Sequence, residues 1–412
     1  MWSKALIGLI IGRIATTLIG STMAVSIGWH LYEATGEAFD LALVGIFQIV
    51  PVISLFLVAG WAADNFSRKT ILLISAGLQL LVVLAVALLM NQPELNKWAL
   101  FCSLSVLGAG RAFFAPAIQS VLPNIVSTDH LGRAVAAISS IWNIALTVGP
   151  FLAGVLLAAL DRQLYWVLII FGLFTLGGFS LLPALNIHSE RKLALKDIFS
   201  GVEYLMHNNV VRGALFTDLV VILCGSVMAI LPVFVKDVLH EGPETLGLLR
   251  AMPAVGATLI GLTMVRRKRA IERNGPLLFW SLIIFSFSII GFAFSQNLYV
   301  ACFALLIYGG SDMISVVIRS SVVQIMTPDA LRGRVSAVNS LFIASSNELG
   351  DFRSGSVTAA FGPVACAVAG GVMSLGIVLL FRSTFRPLFE LQKIEPPQPD
   401  KTKLAPDTKK PE

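Results

Sequence analysis

The chain has 412 residues, of which 56% are hydrophobic and 13% are charged. Soluble domains carry about 25% charged residues, so this composition excludes an ordinary soluble domain. The net charge of +6 does not indicate nucleic-acid binding, because Lys and Arg in a membrane protein mostly report topology and contact with anionic lipid heads. The sequence shows no glycine-rich phosphate loop, spaced His or Cys cluster, or nucleophile motif, so no enzymatic activity, cofactor or metal site is predicted.

Apolar stretches of about 20 residues recur along the whole chain, and each is long enough to cross a bilayer as a helix. A helix satisfies its own backbone hydrogen bonds, which lipid requires of a spanning segment. The pattern predicts an all-α polytopic membrane protein with about twelve transmembrane helices. Their approximate limits are 5–31, 41–62, 70–91, 98–122, 135–160, 163–185, 210–238, 244–265, 276–295, 298–325, 334–360 and 363–383.

The longest internal break between these spans, residues 186–209, divides them into two sets of six. We therefore predict an N-terminal six-helix bundle over 1–185, a cytoplasmic connecting loop over 186–209 and a C-terminal bundle over 210–385. Residues 386–412 are rich in Pro and Lys, a composition that predicts a disordered cytoplasmic tail.

The two sets of spans repeat each other. The loop tripeptide at 129–131 recurs at 329–331 with Asp and Leu in the same places, and Gly20 and Met23 of the first span recur as Gly225 and Met228 of the seventh. Chance similarity between apolar segments explains matched Leu and Val, but not the matched polar loops. Parallel six-helix repeats of this kind build transporters that hold their site near the membrane midplane, between the two halves.

Basic residues are concentrated in alternate loops. Lys and Arg near spans mark the cytoplasmic side of a membrane. Both chain termini are therefore predicted in the cytoplasm, with the protein integral to the plasma membrane, the inner membrane in a bacterium. The basic loop residues are Arg68, Lys69, Arg133, Arg191, Lys192, Lys196, Arg266, Arg267, Lys268, Arg269, Arg273, Arg332 and Arg334.

A short charged turn joins the second and third spans and contains Gly60, Asp64, Arg68 and Lys69. The alternative interpretation, an ordinary cytoplasmic loop, accounts for the two basic residues but not for Gly60 or Asp64. The pattern and its position resemble the signature loop of the major facilitator superfamily. The resemblance implies a cytoplasmic gate made by these four residues and by Arg334 at the start of the eleventh span.

Two further stretches sharpen this resemblance. Residues 107–117 and 122–126 are similar to the fourth helix of proton-linked exporters, in the branch that includes the enterobactin exporter and macrolide efflux permeases. Gly149, Pro150 and Gly154 are similar to a fifth-helix motif of antiporters, although residues 141–148 lack its earlier glycines. The resemblance implies a helix kink at these three positions and, for the whole protein, a monomer.

Charges inside apolar spans are costly, by roughly 2.5–3.5 kcal/mol each on insertion scales, so each predicts a partner or a function. Arg13 and Arg111 lie in spans 1 and 4, whereas Asp218 and Asp312 lie in the repeat counterparts, spans 7 and 10. The resemblance implies that these four spans line a central cavity. The central cavity would then have a cationic wall, made by the two arginines, that faces an acidic wall, made by the two aspartates.

Glu348 and Asp351 lie mid-way along span 11 and share one helix face, because they are three residues apart. Two carboxylates this close in a low dielectric do not both ionise easily, so one of them can carry a coupling proton. The alternative is a structural ion-pair network with Arg319, Arg353 or a first-half arginine. The candidate proton-coupling residues are Glu348, Asp351, Asp312 and Asp218.

The candidate substrate-cavity residues are Arg13, Arg111, Phe113 and Phe114. The two Phe side chains either contact a flat or catechol-like substrate or pack in the core. Arg250 and Arg319 lie nearer span ends and are interpreted as structural. Prolines in or near spans predict kinks or flexible points. These are Pro51, Pro150, Pro232 and Pro253.

These features predict a secondary active transporter. The leading hypothesis is proton-coupled efflux of a small organic molecule, a siderophore or a hydrophobic drug, by alternating access. Proton-linked uptake of a small metabolite and a non-transporting scaffold or sensor are the alternatives. The predicted partners are the small-molecule substrate, protons and membrane lipid.

Overall fold

The computed structural model describes residues 3–184, 203–266 and 273–394. These residues form long helices and contain no β-strand, which confirms the all-α class. The side on which α1 begins and α12 ends is called the terminal face, and the opposite side the far face. The long helices are α1 (Lys4–Thr35), α2 (Ala38–Asn65), α3 (Arg68–Met90), α4 (Lys97–Ile125), α5 (Thr128–Leu160), α6 (Leu164–Ser180), α7 (Asn209–Gly225), α8 (Pro243–Arg266), α9 (Asn274–Ala293), α10 (Leu298–Met326), α11 (Asp329–Phe361) and α12 (Pro363–Thr384).

The seventh span is in two parts. After α7 ends, residues 226–230 are not helical, and the chain then forms a short helix (Leu231–Phe234) that continues into a π-helical turn (Val235–Leu239). The flexible point predicted at Pro232 therefore lies next to a real break. Pro51, Pro150 and Pro253 instead lie inside uninterrupted helices.

Ordered structure continues past the predicted end of the last span. Arg386–Phe389 form a short helix, and both Leu388 and Phe389 are buried. The backbone amide of Gly275, at the start of α9, donates to the carbonyl of Leu391 at 2.7 Å. The start of the tail at residue 386 was therefore predicted too early, because paired backbone extends to at least 391. Most of the predicted connecting loop, residues 185–202, and residues 395–412 lie outside the described residues.

Nine segments of the described chain are long and apolar enough to cross a membrane. One of them, Asp129–Ser180, contains both α5 and α6. The other two helices, α7 and α11, are not long enough or not apolar enough to be counted among these segments. α7 has only 17 residues before its break, and α11 carries Glu348, Asp351 and Arg353 in its middle.

Side-chain caps mark the starts of several spans. Asn96 accepts a hydrogen bond from the Ala99 amide at the start of α4. Asn297 accepts one from the Val300 amide at the start of α10. An Asn side chain at this position satisfies one of the amides that the first turn leaves without a helical partner. The fourth and tenth spans thus begin in the same way, as expected for repeat counterparts.

Helix packing follows the same scheme in both sets of spans. In the first set α1 packs on α5 and α6, α4 packs on α2 and α3, and α3 packs on α6. In the second set α7 packs on α11 and α12, α10 packs on α8 and α9, and α9 packs on α12. Two crossings join the sets, α2 with α11 and α5 with α8. We call these sets the first half and the second half.

Large apolar side chains also cover the outside of the helices. Trp98, Phe174, Phe287, Phe303 and Leu380 are each at least 53% exposed. So many exposed apolar residues are unfavourable in water but are what a lipid environment requires.

Candidate cavity between the two halves

A cavity of about 430 Å³ lies between the two halves. The first half contributes residues of α1 to α5 to its wall. The second half contributes Ala229 at the break in α7, Pro232, Arg250 of α8, and Glu348 and Asp351 of α11. Its polar lining side chains are Thr16, Thr17, Ser21, Gln48, Ser75, Gln79, Arg111, Trp142, Arg250, Glu348 and Asp351.

Arg111 of α4 reaches across this cavity. Its Nη1 atom donates to Gln48 Oε1 of α2 at 2.8 Å and lies 3.8 Å from Glu348 Oε1 of α11. The Arg111 side chain is 53% exposed and the Glu348 side chain 26% exposed. Opposite charges therefore face each other across the cavity at this pair. The acidic partner is Glu348 of α11, so the prediction of an acidic wall made by Asp218 and Asp312 is wrong. Gln48, the amide of the second span, was missed as a cavity residue.

A glycine brings Gln48 and Arg111 together. A Cβ atom on Gly108 of α4 would lie only 2.3 Å from the Gln48 carbonyl oxygen. Only glycine allows the α2 and α4 backbones to approach this closely. Gly108 lies three residues before Arg111, about one helical turn away. The close crossing at Gly108 therefore brings the Gln48 side chain within reach of the Arg111 guanidinium.

Asp351 lies at the inner end of the cavity, against the break in α7. Its Oδ1 atom accepts a hydrogen bond from Ser226 Oγ at 2.6 Å, and the backbone amide of Ala229 lies near the carboxylate. The cationic groups nearest to this carboxylate are Arg250 of α8 and Arg353 of α11. Asp351 is therefore both a cavity residue and a partner of the α7 backbone.

Arg353 does not line the cavity, although it lies only two residues after Asp351. Its Nη2 atom donates to the Ser226 carbonyl at 2.8 Å, and its Nε atom donates to the Leu223 carbonyl at 3.2 Å. Both carbonyls belong to the end of α7, where helix geometry leaves backbone acceptors without partners. Arg353 thus holds the end of α7, and no direct ion pair with Asp351 is formed among its described contacts.

Arg250 lies in the cavity wall, although sequence reasoning placed it among the structural residues. Its Nη1 atom donates to the Ala24 carbonyl of α1 at 3.4 Å, so it spans the two halves. Glu348 and Asp351 are the acidic groups close to it. The signal available in the sequence was a lone arginine within an apolar span, which by itself indicates a need for partners but not which ones.

Arg13 lies beside the cavity rather than in its wall. Its guanidinium carbon is 5.1 Å from the centroid of the Trp142 ring, and that ring does line the cavity. A cation over an indole face is electrostatically favourable. Both predicted Phe residues pack against a core cluster of the first half, and Phe114 also lines the cavity.

Two predicted proton-coupling residues lie outside the cavity. Asp218 of α7 forms a buried ion pair with Arg319 of α10, with side chains 8% and 5% exposed. Asp312 of α10 has no hydrogen-bond or ion-pair partner among the described residues and does not line the cavity. The structure therefore brings Glu348 and Asp351 together with Arg111 and Arg250, but not with these two.

The predicted cytoplasmic gate residues lie on the terminal face. Arg68 donates to the Ser120 carbonyl at the end of α4, and Lys69 Nζ donates to the Ser180 carbonyl at 2.7 Å, at the end of α6. Both contacts lie within the first half. Gly60 and Asp64 belong to the end of α2, and Arg334 to the start of α11. The Asp64 side chain lies outside the described part of the structure, so the cytoplasmic gate remains a prediction.

The fifth-span motif makes close helix contacts. A Cβ atom on Gly149 would lie 2.7 Å from Ser21 Cβ of α1, and one on Gly154 would lie 2.8 Å from Gly247 Cα of α8. The helix runs without interruption through Pro150. Gly154 therefore serves the crossing between the two halves, and the predicted kink remains a prediction.

On the far face the two halves touch. The Tyr32 hydroxyl of α1 donates to Asp237 Oδ2 at 2.5 Å, and Lys236 Nζ lies 5.8 Å from the centroid of the Tyr32 ring. At the crossing of α2 with α11, a Cβ atom on Gly355 of α11 would lie 2.8 Å from Ala42 Cβ of α2. These contacts close the far end of the cavity.

Within the described residues, one group of acidic and His side chains has a spacing that a metal ion could use. The ligand atoms of His30, Glu33 and Asp161 lie within 4.8 Å of one another. However, His30 Nε2 is 2.9 Å from Asp161 Oδ1, and Nδ1 is 3.0 Å from the Tyr165 hydroxyl. Both ring nitrogens have protein partners, so His30 is explained as a buried link between α1 and the start of α6.

The fold and the charged cavity between two repeated halves define a membrane transporter of the major facilitator superfamily. Residues 5–407 match the family described as transmembrane secretion effector, and the chain belongs to that family. The enterobactin exporter EntS of Escherichia coli O1:K1 / APEC is 24% identical over 385 residues, 90% of this chain and 88% of the relative. EntS of Citrobacter koseri is 24% identical over 404 residues, 94% of this chain and 92% of the relative.

Solved structures share the fold at lower identity. The nucleoside transporter NupG superposes with a TM-score of 0.72 at 13% identity, over 95% of this chain and 100% of NupG. A variant of the peptide transporter POT in complex with sulfate superposes with a TM-score of 0.77 at 13% identity, over 95% of this chain and 96% of the POT chain. A bacterial homologue of the iron transporter ferroportin in the inward-facing state superposes with a TM-score of 0.66 at 18% identity, over 93% of this chain and 100% of the homologue. At these identities the likeness shows the fold alone.

Proposed function

We propose that this transporter exports a small organic molecule in exchange for protons. The observation that carries the proposal is the pair Arg111 and Glu348, which joins the two halves across the cavity at 3.8 Å. An ion pair between halves stabilises one arrangement of those halves. A proton on Glu348 removes the attraction, and so shifts the balance between two arrangements.

Asp351 supports the same mechanism. It shares the α11 face with Glu348, and both lie near Arg250. Two carboxylates and two arginines in one cavity allow a proton or an anionic cargo to change which groups are paired. Protons and cargo that compete for the same arrangement of charges are transported in opposite directions, which is the basis of antiport.

The proposed cargo is a siderophore or a hydrophobic drug. Relatives at 24% identity are enterobactin exporters, which favours a siderophore. The cavity wall combines Arg111 and Arg250 with the aromatic rings of Phe114 and Trp142. Aromatic faces and guanidinium groups suit a flat ring that carries negative oxygen atoms.

We also propose the orientation of the chain. The basic loops predict the terminal face in the cytoplasm. The far face would then be the outer side of the plasma membrane, the inner membrane in a bacterium. Contacts such as Tyr32 to Asp237 close that side, which corresponds to a cavity open towards the cytoplasm. A monomer contains all residues of this cavity.

Cargo-dependent proton movement in reconstituted vesicles tests the proposal. A panel of siderophores and drugs is added to wild type and to the Glu348→Gln and Asp351→Asn variants. Proton movement that requires one cargo and is lost in the variants is the expected result. If the proton and the cargo move in the same direction, the protein is an uptake transporter instead, and the export proposal fails. Reporter fusions at the C-terminus test the orientation.

A further inference from the structure

The interrupted seventh span is connected to both halves. Its first part, α7, packs on α11 and α12 in the second half, where Ser374 Oγ also donates to the Val221 carbonyl at 3.2 Å. The part beyond the break, residues 231–239, buries Phe234 in the second-half core, with its ring centroid 4.3 Å from that of Phe292 of α9, and also reaches the first half. Between them lie residues 226–230, which have no helical structure.

The far part, residues 231–239, packs on α1 of the first half. Val233 is 2% exposed and belongs to the same core cluster as Met23, Ile27 and Leu31. Pro232 lies against Gly28, and Asp237 accepts the hydrogen bond of Tyr32. These contacts cover the end of the cavity on the far face. We call residues 231–239 the α7 tip.

The break is held by α11. Arg353 donates to the Leu223 and Ser226 carbonyls on the α7 side of the break. Asp351 accepts a hydrogen bond from Ser226 Oγ, and its carboxylate lies near the Ala229 amide on the tip side. A cation suits the carbonyl end of a helix, and an anion suits the amides that precede the next one. Residues 351 and 353 therefore supply partners to polar groups at the break, two carbonyls for Arg353 and the Ser226 hydroxyl for Asp351.

We propose that Asp351 and Arg353 hold the hinge of the α7 tip and so link the contents of the cavity to closure of the far face. Asp351 is the one of the two that lines the cavity. When a cargo or proton changes the partners of this carboxylate, the hold on Ala229 and Ser226 weakens, and the tip can leave α1. The proposal rests on the proposed transport function but does not require that the cargo be known.

The groups that face Asp351 limit what can change its partners. Arg250 approaches from α8, Arg353 and Glu348 lie on its own helix, and Tyr308 approaches from α10. Of these, Arg250 and Glu348 share the cavity wall with Asp351. A bound anion that attracts Arg250 would draw this guanidinium away from Asp351, and it would do so without contacting the residues of the hinge.

Distances across the far face test the hinge without any cargo. Spin labels are placed at Ala34→Cys and Glu241→Cys, both exposed, in a background in which Cys102 and Cys302 are Ser and the buried Cys224 and Cys366 are kept. Ser226→Ala removes one bond of the hinge and leaves both charges in place. Loss of one hydrogen bond should increase the ratio of open to closed far face by about fivefold. Arg353→Gln should increase it further.

Ser374→Ala is the matched control. It removes a hydrogen bond to α7, but on the part that stays with the second half, so the distance distribution should match that of the wild type. If Ser226→Ala leaves the distribution unchanged, or if Ser374→Ala changes it equally, the hinge proposal is overturned. Because the measurement uses neither cargo nor a proton gradient, it can fail while proton-coupled export holds, or hold while export fails.

Discussion

Arg111 of α4 and Glu348 of α11 face each other across the cavity, with Nη1 and Oε1 3.8 Å apart. The two residues lie in different halves of the chain. Gln48 holds the guanidinium from a third helix. The pair is thus a direct link between the two halves, within the cavity proposed to bind the cargo.

Glu348→Gln and Arg111→Gln should both abolish cargo-dependent proton movement in vesicles, because each removes one charge of the link between the halves. Both side chains are partly exposed, so the free energy of unfolding should change by less than about 1 kcal/mol. Glu390→Gln is the control, since Glu390 pairs with Arg386 in an exposed position away from the cavity. Proton movement that survives in Glu348→Gln would exclude this residue as the coupling site.

Asp218→Asn should destabilise the protein without a specific effect on the cavity, because it leaves Arg319 buried without its partner. Removing one member of a buried pair costs about 3–5 kcal/mol. The double variant Asp218→Leu/Arg319→Met should recover most of the thermal stability in detergent. A single variant with unchanged melting temperature and no proton movement would instead support the original expectation that Asp218 carries the proton.

Gly154→Val should open the far face. The new side chain would collide with Gly247 of α8, whose Cα lies 2.8 Å from a Cβ at position 154. Overpacking costs about 1–3 kcal/mol, enough to shift the ratio of the two arrangements of the halves by about fivefold or more. The far-face label pair reports the shift. Gly177→Val is the control, because nothing lies within 4 Å of its Cβ position, and equal opening in both would refute the prediction.

Gly108→Ala should separate α2 from α4, since its Cβ would lie 2.3 Å from the Gln48 carbonyl oxygen. The bond from Arg111 to Gln48 would then be lost, and the melting temperature in detergent should fall by the equivalent of about 1–3 kcal/mol. Gly110→Ala has its nearest neighbour, Leu78 Cβ, at 3.6 Å and should melt like the wild type. Similar melting of both variants would show that the crossing tolerates a Cβ.

Sequence reasoning found the charges that matter but not their partners. Glu348 and Asp351 were placed on one helix face by their spacing, and both line the cavity. Arg250 and Gln48 were missed, because a lone polar residue in an apolar span gives no information on which neighbouring helix it meets. For the same reason Asp218 was grouped with the cavity residues, although Arg319 neutralises it inside the second half.

The sequence by itself determined the environment and the architecture. Apolar length and composition indicate membrane spans, because lipid admits only segments that satisfy their own backbone, and the repeated loops indicate two related halves. The tertiary structure decided how the charges are used. Pairing across the cavity, the close glycine crossings and the hold of Asp351 and Arg353 on the broken α7 all depend on atoms brought within a few ångströms by helices far apart in the chain. Periodicity along one helix carries no information about such contacts between helices.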